Sequence, residues 1–109
     1  MKSNYSYSNI VEALKEAGIA EGDTLFLHTN IGFFGRLENA NTADELCRSH
    51  FQALKEAVGE SGTIVVPTFS YSFCHNEHYD TTNTTSDCGM FSEYVRKQEG
   101  VIRSLDPNF

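Results

Sequence analysis

Two short apolar runs, Thr24-Leu25-Phe26-Leu27-His28 and Thr63-Ile64-Val65-Val66-Pro67, flank the clearest helical pattern in the chain, and no other feature constrains the fold as much. Each run is too short for a helix, and each follows a tight turn: Glu21-Gly22-Asp23 before the first, Glu60-Ser61-Gly62 before the second. Apolar runs of this length read as buried strands, and the second is rich in β-branched residues that suit a pleated surface. Strand, crossover helix and strand predict parallel neighbours joined by a right-handed connection.

The crossover helix is predicted to start at Thr42, where Glu45 completes a Thr-x-x-Glu capping box, and to end at Gly59. Cys47, Phe51, Leu54 and Val58 line its inner face, with Leu46 beside them. An earlier helix is expected from a cap at Ser8 or Asn9, with Glu12 three residues after Asn9. Ile10, Ala13, Leu14 and Ala17 share one face of it, Gly18 supplies its left-handed end, and Ile19 gives the hydrophobic contact after the turn. Ser86 or Asp87 is predicted to cap a third helix with Phe91, Tyr94 and Val95 on its apolar face and Gly100 as its stop. Val101-Ile102 then begins another extended segment. Two loops remain: Thr29 to Asn41, and the longer Thr68 to Asp87, which is mostly hydroxyl, amide and aromatic and has the length typical of functional loops. This order gives an α/β class, with layered helices on a mostly parallel sheet. So few strands leave little apolar cover for two helix layers, so the fold is expected to be incomplete as given.

A chain of 109 residues has room for one domain, and 39% hydrophobic with 21% charged residues is ordinary globular composition. The formal charge of −7 argues against nucleic acid or an anionic membrane as partner, because phosphate binding needs clustered Lys and Arg. Cys47, Cys74 and Cys88 are an odd count without disulfide-framework spacing, which favours a reducing compartment. Met1 to Asn9 holds no signal-like apolar run and no stretch reaches membrane-spanning length, so the expected address is cytoplasmic.

Ligands of open parallel sheets bind beyond the carboxyl ends of the strands. The first strand ends in His28-Thr29-Asn30-Ile31-Gly32 and the second in Pro67-Thr68-Phe69-Ser70-Tyr71-Ser72, so hydroxyl, amide and backbone N–H groups converge on one rim. The same residue types also cap turns, and both uses are open at this point.

The segments Gly22-Asp23-Thr24-Leu25-Phe26-Leu27-His28, Gly62-Thr63-Ile64-Val65-Val66-Pro67-Thr68-Phe69-Ser70, Gly89-Met90-Phe91-Ser92-Glu93-Tyr94-Val95-Arg96 and Gly100-Val101-Ile102-Arg103-Ser104-Leu105-Asp106-Pro107 resemble four successive blocks of the aminoglycoside 3-N-acetyltransferase family. The order and spacing agree along nearly the whole chain. The resemblance implies the amino-terminal portion (residues 1–109) of a single acetyltransferase domain. It further implies a co-substrate, acetyl-coenzyme A, and acetyl transfer to an amine of an aminoglycoside or related aminosugar, for antibiotic resistance or for aminosugar modification. On that similarity His28, Thr29, Asn30, Thr68, Arg103 and Ser104 face the coenzyme, Arg103 through the fork of donors that suits a phosphate. Tyr71, Tyr79 and Asp80 form an expected acceptor wall, able to meet hydroxyl and ammonium groups.

Two positions depart from the pattern: Thr29-Asn30 stand where family members carry two serines, and Asp106 stands where they carry histidine. A carboxylate at 106 repels phosphate if it faces the coenzyme, so the acceptor is less fixed than the acyl donor. His50 lies beside the apolar stripe of the crossover helix and reads as a packing residue. The histidine and acidic residues to which the family owes catalysis belong to a longer chain, so no catalytic residue is nominated. Cys74, His75, His78, Asp87 and Cys88 lack paired-ligand spacing, and no metal is expected. The rival reading is a non-catalytic interaction or structural piece of the same fold, and an uncovered sheet edge would invite homo-oligomers.

Overall fold

The computed structural model describes residues 2–106, so Pro107 of the fourth block lies outside the described residues. The first helix, α1 (Tyr7–Glu16), begins a turn earlier than the sequence predicts. Ser6 is its cap, not Ser8 or Asn9. The Ser6 hydroxyl accepts from the Asn9 N–H at 3.3 Å, and the Asn9 side chain accepts in return from the Ser6 N–H at 2.9 Å. This is a closed capping box with Asn9 in the third position. At the other end Gly18, at φ +92°, turns the chain so that its N–H reaches the Lys15 carbonyl and that of Ile19 reaches Leu14. These are the two bonds of a Schellman motif.

Strand β1 (Thr24–Phe26) pairs in parallel with β2 (Thr63–Val65), Thr24 opposite Thr63 and Phe26 opposite Val65. Both are shorter than the apolar runs that predict them. One more ladder bond, from the Leu27 N–H to the Val65 carbonyl at 2.9 Å, closes the pairing, and Pro67 has no N–H with which to extend it. Between the strands runs α2 (Ala43–Val58), whose Thr42 cap accepts from the Glu45 N–H at 3.1 Å as expected. The Glu45 carboxylate accepts from the Asn41 N–H, one residue before the cap. A short 3-10 helix (Ile31–Phe34) breaks the loop after β1, and a single parallel bridge between Tyr5 and Leu37 ties that loop to the segment before α1.

Helix α3 (Met90–Arg96) starts later than predicted, from Gly89 and without a side-chain cap. Ser86 and Asp87 do not cap it. Instead the Ser86 N–H donates to the Glu93 carboxylate and its hydroxyl accepts from the Cys88 N–H. The helix ends at Arg96, and Gly100, at φ +83°, turns the chain beyond it. Val101-Ile102 runs on without joining the sheet, and Ile102 is 98% exposed.

Alternation along the strands decides where the core sits. Leu25, Leu27, Ile64 and Val66 turn inward to meet Ile31, Cys47, Leu54, Phe91 and Val95, so the three helices cover this one face of the parallel pair. Phe26 and Val65 point the other way and are exposed, which makes the strands half-buried, not buried on both faces.

Candidate functional site

The register that pairs Thr24 with Thr63 ends at Phe26 opposite Val65, and Thr29 and Thr68 each follow three residues beyond that last pair. From there the two strand ends diverge. Thr29 lines a largely apolar cavity of about 470 Å³ between α1 and α2, together with Tyr5, Leu27, Phe34, His50 and Phe91. Thr68 lines a separate cleft of about 830 Å³ along the free edge of β2, shared with Val66, Val101 and Arg103. His28 turns to the uncovered face of the sheet, its ring 5.1 Å from that of Phe26. Asn30 precedes the 3-10 helix and makes no side-chain cap to it.

The structure draws Thr68, Tyr79, Arg103 and Ser104 together. The Arg103 guanidinium donates through one terminal nitrogen to the Thr68 carbonyl at 2.8 Å and through the other to the carbonyls of Thr84 and Thr81. It lies 5.0 Å from the centre of the Tyr79 ring, a cation–π contact, while the Tyr79 hydroxyl donates to the Ser104 carbonyl at 2.9 Å. The fork inferred for phosphate thus faces backbone oxygens, and its Nε–H is buried with no acceptor among the described residues. The Ser104 hydroxyl donates to the Asp106 carbonyl and accepts from the Asp106 N–H.

Asp80 is tied into its own turn. Its carboxylate accepts from the N–H of Thr82 at 2.8 Å and from the Asn83 side chain at 3.0 Å, bonds that hold its pKa below the ordinary value. Tyr71 sits in a neighbouring turn at φ +56°, where its carbonyl accepts from the His75 N–H. Close behind, the buried hydroxyls of Ser70 and Ser72 meet at 2.7 Å.

Sequence reasoning misses the pair that braces this loop from α3. Arg96 meets Glu93 through two nitrogens, at 2.6 and 2.7 Å, and gives its third to the Thr82 carbonyl at 2.8 Å. The bonds from Arg96, ahead of a smaller desolvation penalty, bring the Glu93 carboxyl down to about 2. The signal was present, an acid and a base three residues apart on a predicted helix, but such pairs are usually solvated and say nothing of a distant loop. Also unforeseen is the bond between the Tyr5 hydroxyl and Nε2 of His50, at 2.9 Å, which gives that buried ring its partner. Among the described residues no group of three or more His, Cys, Asp or Glu is placed to hold a metal ion, and no helix is long and apolar enough to cross a membrane.

The family profile described as aminoglycoside 3-N-acetyltransferase matches residues 26–109, which takes in the last residue of β1, all of β2, the rim and the braced loop. The chain belongs to this family. Solved structures agree with the assignment. Aminoglycoside acetyltransferase AAC(3)-IVa, as apoenzyme, is 25% identical with a TM-score of 0.80 over 98% of this chain and 40% of its own. A mutant of that enzyme in complex with gentamicin gives the same identity and score over 98% and 39%. AAC-IIIb, binary with CoASH, is 20% identical with a TM-score of 0.77 over 95% and 44%. This member of the aminoglycoside 3-N-acetyltransferase family therefore spans about two fifths of the length of these structures. No match is found among curated proteins.

Proposed function

We propose that this chain is one portion of a single N-acetyltransferase domain that binds acetyl-coenzyme A and presents it to an amine of an aminoglycoside or related aminosugar. The observation that carries this reading is the pair of parallel strands whose carboxyl ends lead into Thr29 and Thr68, with Arg103 bonded to the backbone of Thr68. The donor set suits a diphosphate and a pantetheine arm: hydroxyls at Thr29, Thr68 and Ser104, an amide at Asn30, an imidazole at His28, and the buried Nε–H of Arg103, for which the described residues supply no acceptor. The complexes of family structures with CoASH and with gentamicin support the two ligand classes.

In this reading acetyl-coenzyme A supplies the acyl group as a thioester; the acceptor nitrogen forms a C–N bond to the acetyl carbon as the C–S bond breaks, and the proton lost by the amine goes to the departing thiolate. The described residues bind and orient. Thr68 and Ser104 hold polar groups along the open edge of β2, and Arg103 fixes the wall they stand on. Tyr71, Tyr79 and Asp80 offer aromatic faces and a carboxylate to a cationic aminosugar. No residue of the chain is assigned the proton transfer.

Acetyl-coenzyme A titrated into the purified chain tests the reading. A ligand that binds only the folded state raises the melting temperature, by the equivalent of about 2.7 kcal/mol at a hundred times its Kd. An unchanged melting curve at millimolar coenzyme would leave the alternative, a non-catalytic interaction or structural piece, which the exposed Phe26, Ile102 and Leu105 favour. In a thiol-release assay with gentamicin the chain is expected to turn over little or not at all.

A further inference from the structure

We infer that Glu93 and Arg96 are positioning residues for the acceptor, acting through the 68–87 loop. The inference rests on the functional reading above and adds to it the element that sets specificity. All three Arg96 nitrogens are already engaged, two by Glu93 and one by the Thr82 carbonyl, and the side chain is only 9% exposed. The Glu93 carboxylate also accepts from the Ser86 N–H at 2.9 Å. This one ion pair thus grips the loop at residues 82 and 86, on the side that carries Tyr79 and Asp80. The remaining turn of that segment is closed by the Asp80 carboxylate and by the Thr84 hydroxyl, which accepts from the Asp80 N–H at 2.8 Å. Thr68, on the coenzyme side, has its own bond from one terminal nitrogen of Arg103, whose other terminal nitrogen donates to the carbonyls of Thr81 and Thr84 in the same loop.

A segment with no helix or strand of its own keeps a defined shape only through such side-chain bonds to its backbone, and recognition groups on it are as accurate as that support. Loosening the pair therefore displaces the acceptor wall and leaves the strand ends where they were. Lysine is no substitute for Arg96, because one ammonium cannot make a planar two-point contact with Glu93 and reach the Thr82 carbonyl as well.

The test compares two ligands by calorimetry, acetyl-coenzyme A and gentamicin, on the unsubstituted chain and on R96Q, R96K and E93Q. E93Q keeps an oxygen for the Ser86 N–H; circular dichroism and the melting curve report folding for all three. The inference expects gentamicin affinity to fall about tenfold or more in R96Q, R96K and E93Q, with acetyl-coenzyme A affinity within about twofold of the starting value. Hydrogen exchange at the amides of Thr82, Asn83 and Ser86 should accelerate in the same variants. Equal losses for both ligands, retained gentamicin affinity, or full rescue by R96K would overturn it. Failure of the unsubstituted chain to bind acetyl-coenzyme A would instead strike the functional reading. If that chain binds the coenzyme but not gentamicin, the specificity role falls alone.

Discussion

His50 shows how one buried side chain makes stability depend on pH. Its ring is enclosed by Phe34, Tyr5 and the body of α2, and burial lowers its pKa. The unfolded chain takes a proton near the ordinary value of 6.5 while the folded chain resists it, so stability is full above that value and declines as the pH falls below it. Melting temperatures recorded from pH 7.5 down to 5 should show this decline, and His50→Gln should flatten it. Tyr5→Phe removes the partner of Nε2 and is expected to cost about 1 kcal/mol in denaturant unfolding. Close approach matters more at Gly62. A methyl group there would stand 2.3 Å from Cβ of Val58 and 2.5 Å from its carbonyl oxygen, at the end of α2. Gly62→Ala should therefore destabilise by roughly 1–3 kcal/mol, because helix and strand must separate to admit it.

At the scale of elements, α3 depends on a carboxylate. Glu93 titrates near 4.5 in the unfolded chain and at about 2 in the folded one. Its contribution is therefore complete above pH 4.5 and is lost as the pH falls from there toward 2, and Glu93→Gln should cost on the order of 2 kcal/mol at neutral pH and remove that acid sensitivity. Thr42→Ala should cost about 1 kcal/mol by opening the cap of α2. What the sequence made legible follows the range of the forces involved. The α2 cap, the Gly18 turn and the parallel pair depend on neighbours in the chain or on simple periodicity, and they were read correctly from those patterns. The α1 start was misplaced because Asn9 serves as the reciprocal partner of the box and not as its cap. The α3 start was misplaced because Ser86 spends its groups on Glu93 and Cys88. The residues at the strand ends could be named from their position, but not their directions. That Thr29 and Thr68 face different cavities, and that Arg103 reaches across to carbonyls at 68, 81 and 84, depends on contacts without a local signature.

For the whole molecule, a radius of gyration of 15.1 Å exceeds the roughly 13 Å of a close-packed domain of this length, and the excess agrees with a sheet clothed on one side only. Phe26, 60% exposed, lies on the open face of that sheet, and Ile102, 98% exposed, lines the cleft along the edge of β2. Such a surface is expected to draw copies of the chain together despite the net charge of −7. Sedimentation across a concentration series should reveal association at neutral pH, and Ile102→Lys should weaken it while changing unfolding free energy by no more than about 0.5 kcal/mol. Arg103 has a last consequence. Its guanidinium binds carbonyls that precede it by 19 to 35 residues. On the ribosome, the strands and α2 can associate before that side chain has left the exit tunnel, but the threonine-rich segment cannot settle until it has. The part of the molecule expected to choose the amine is thus the last of the described parts to take shape during synthesis.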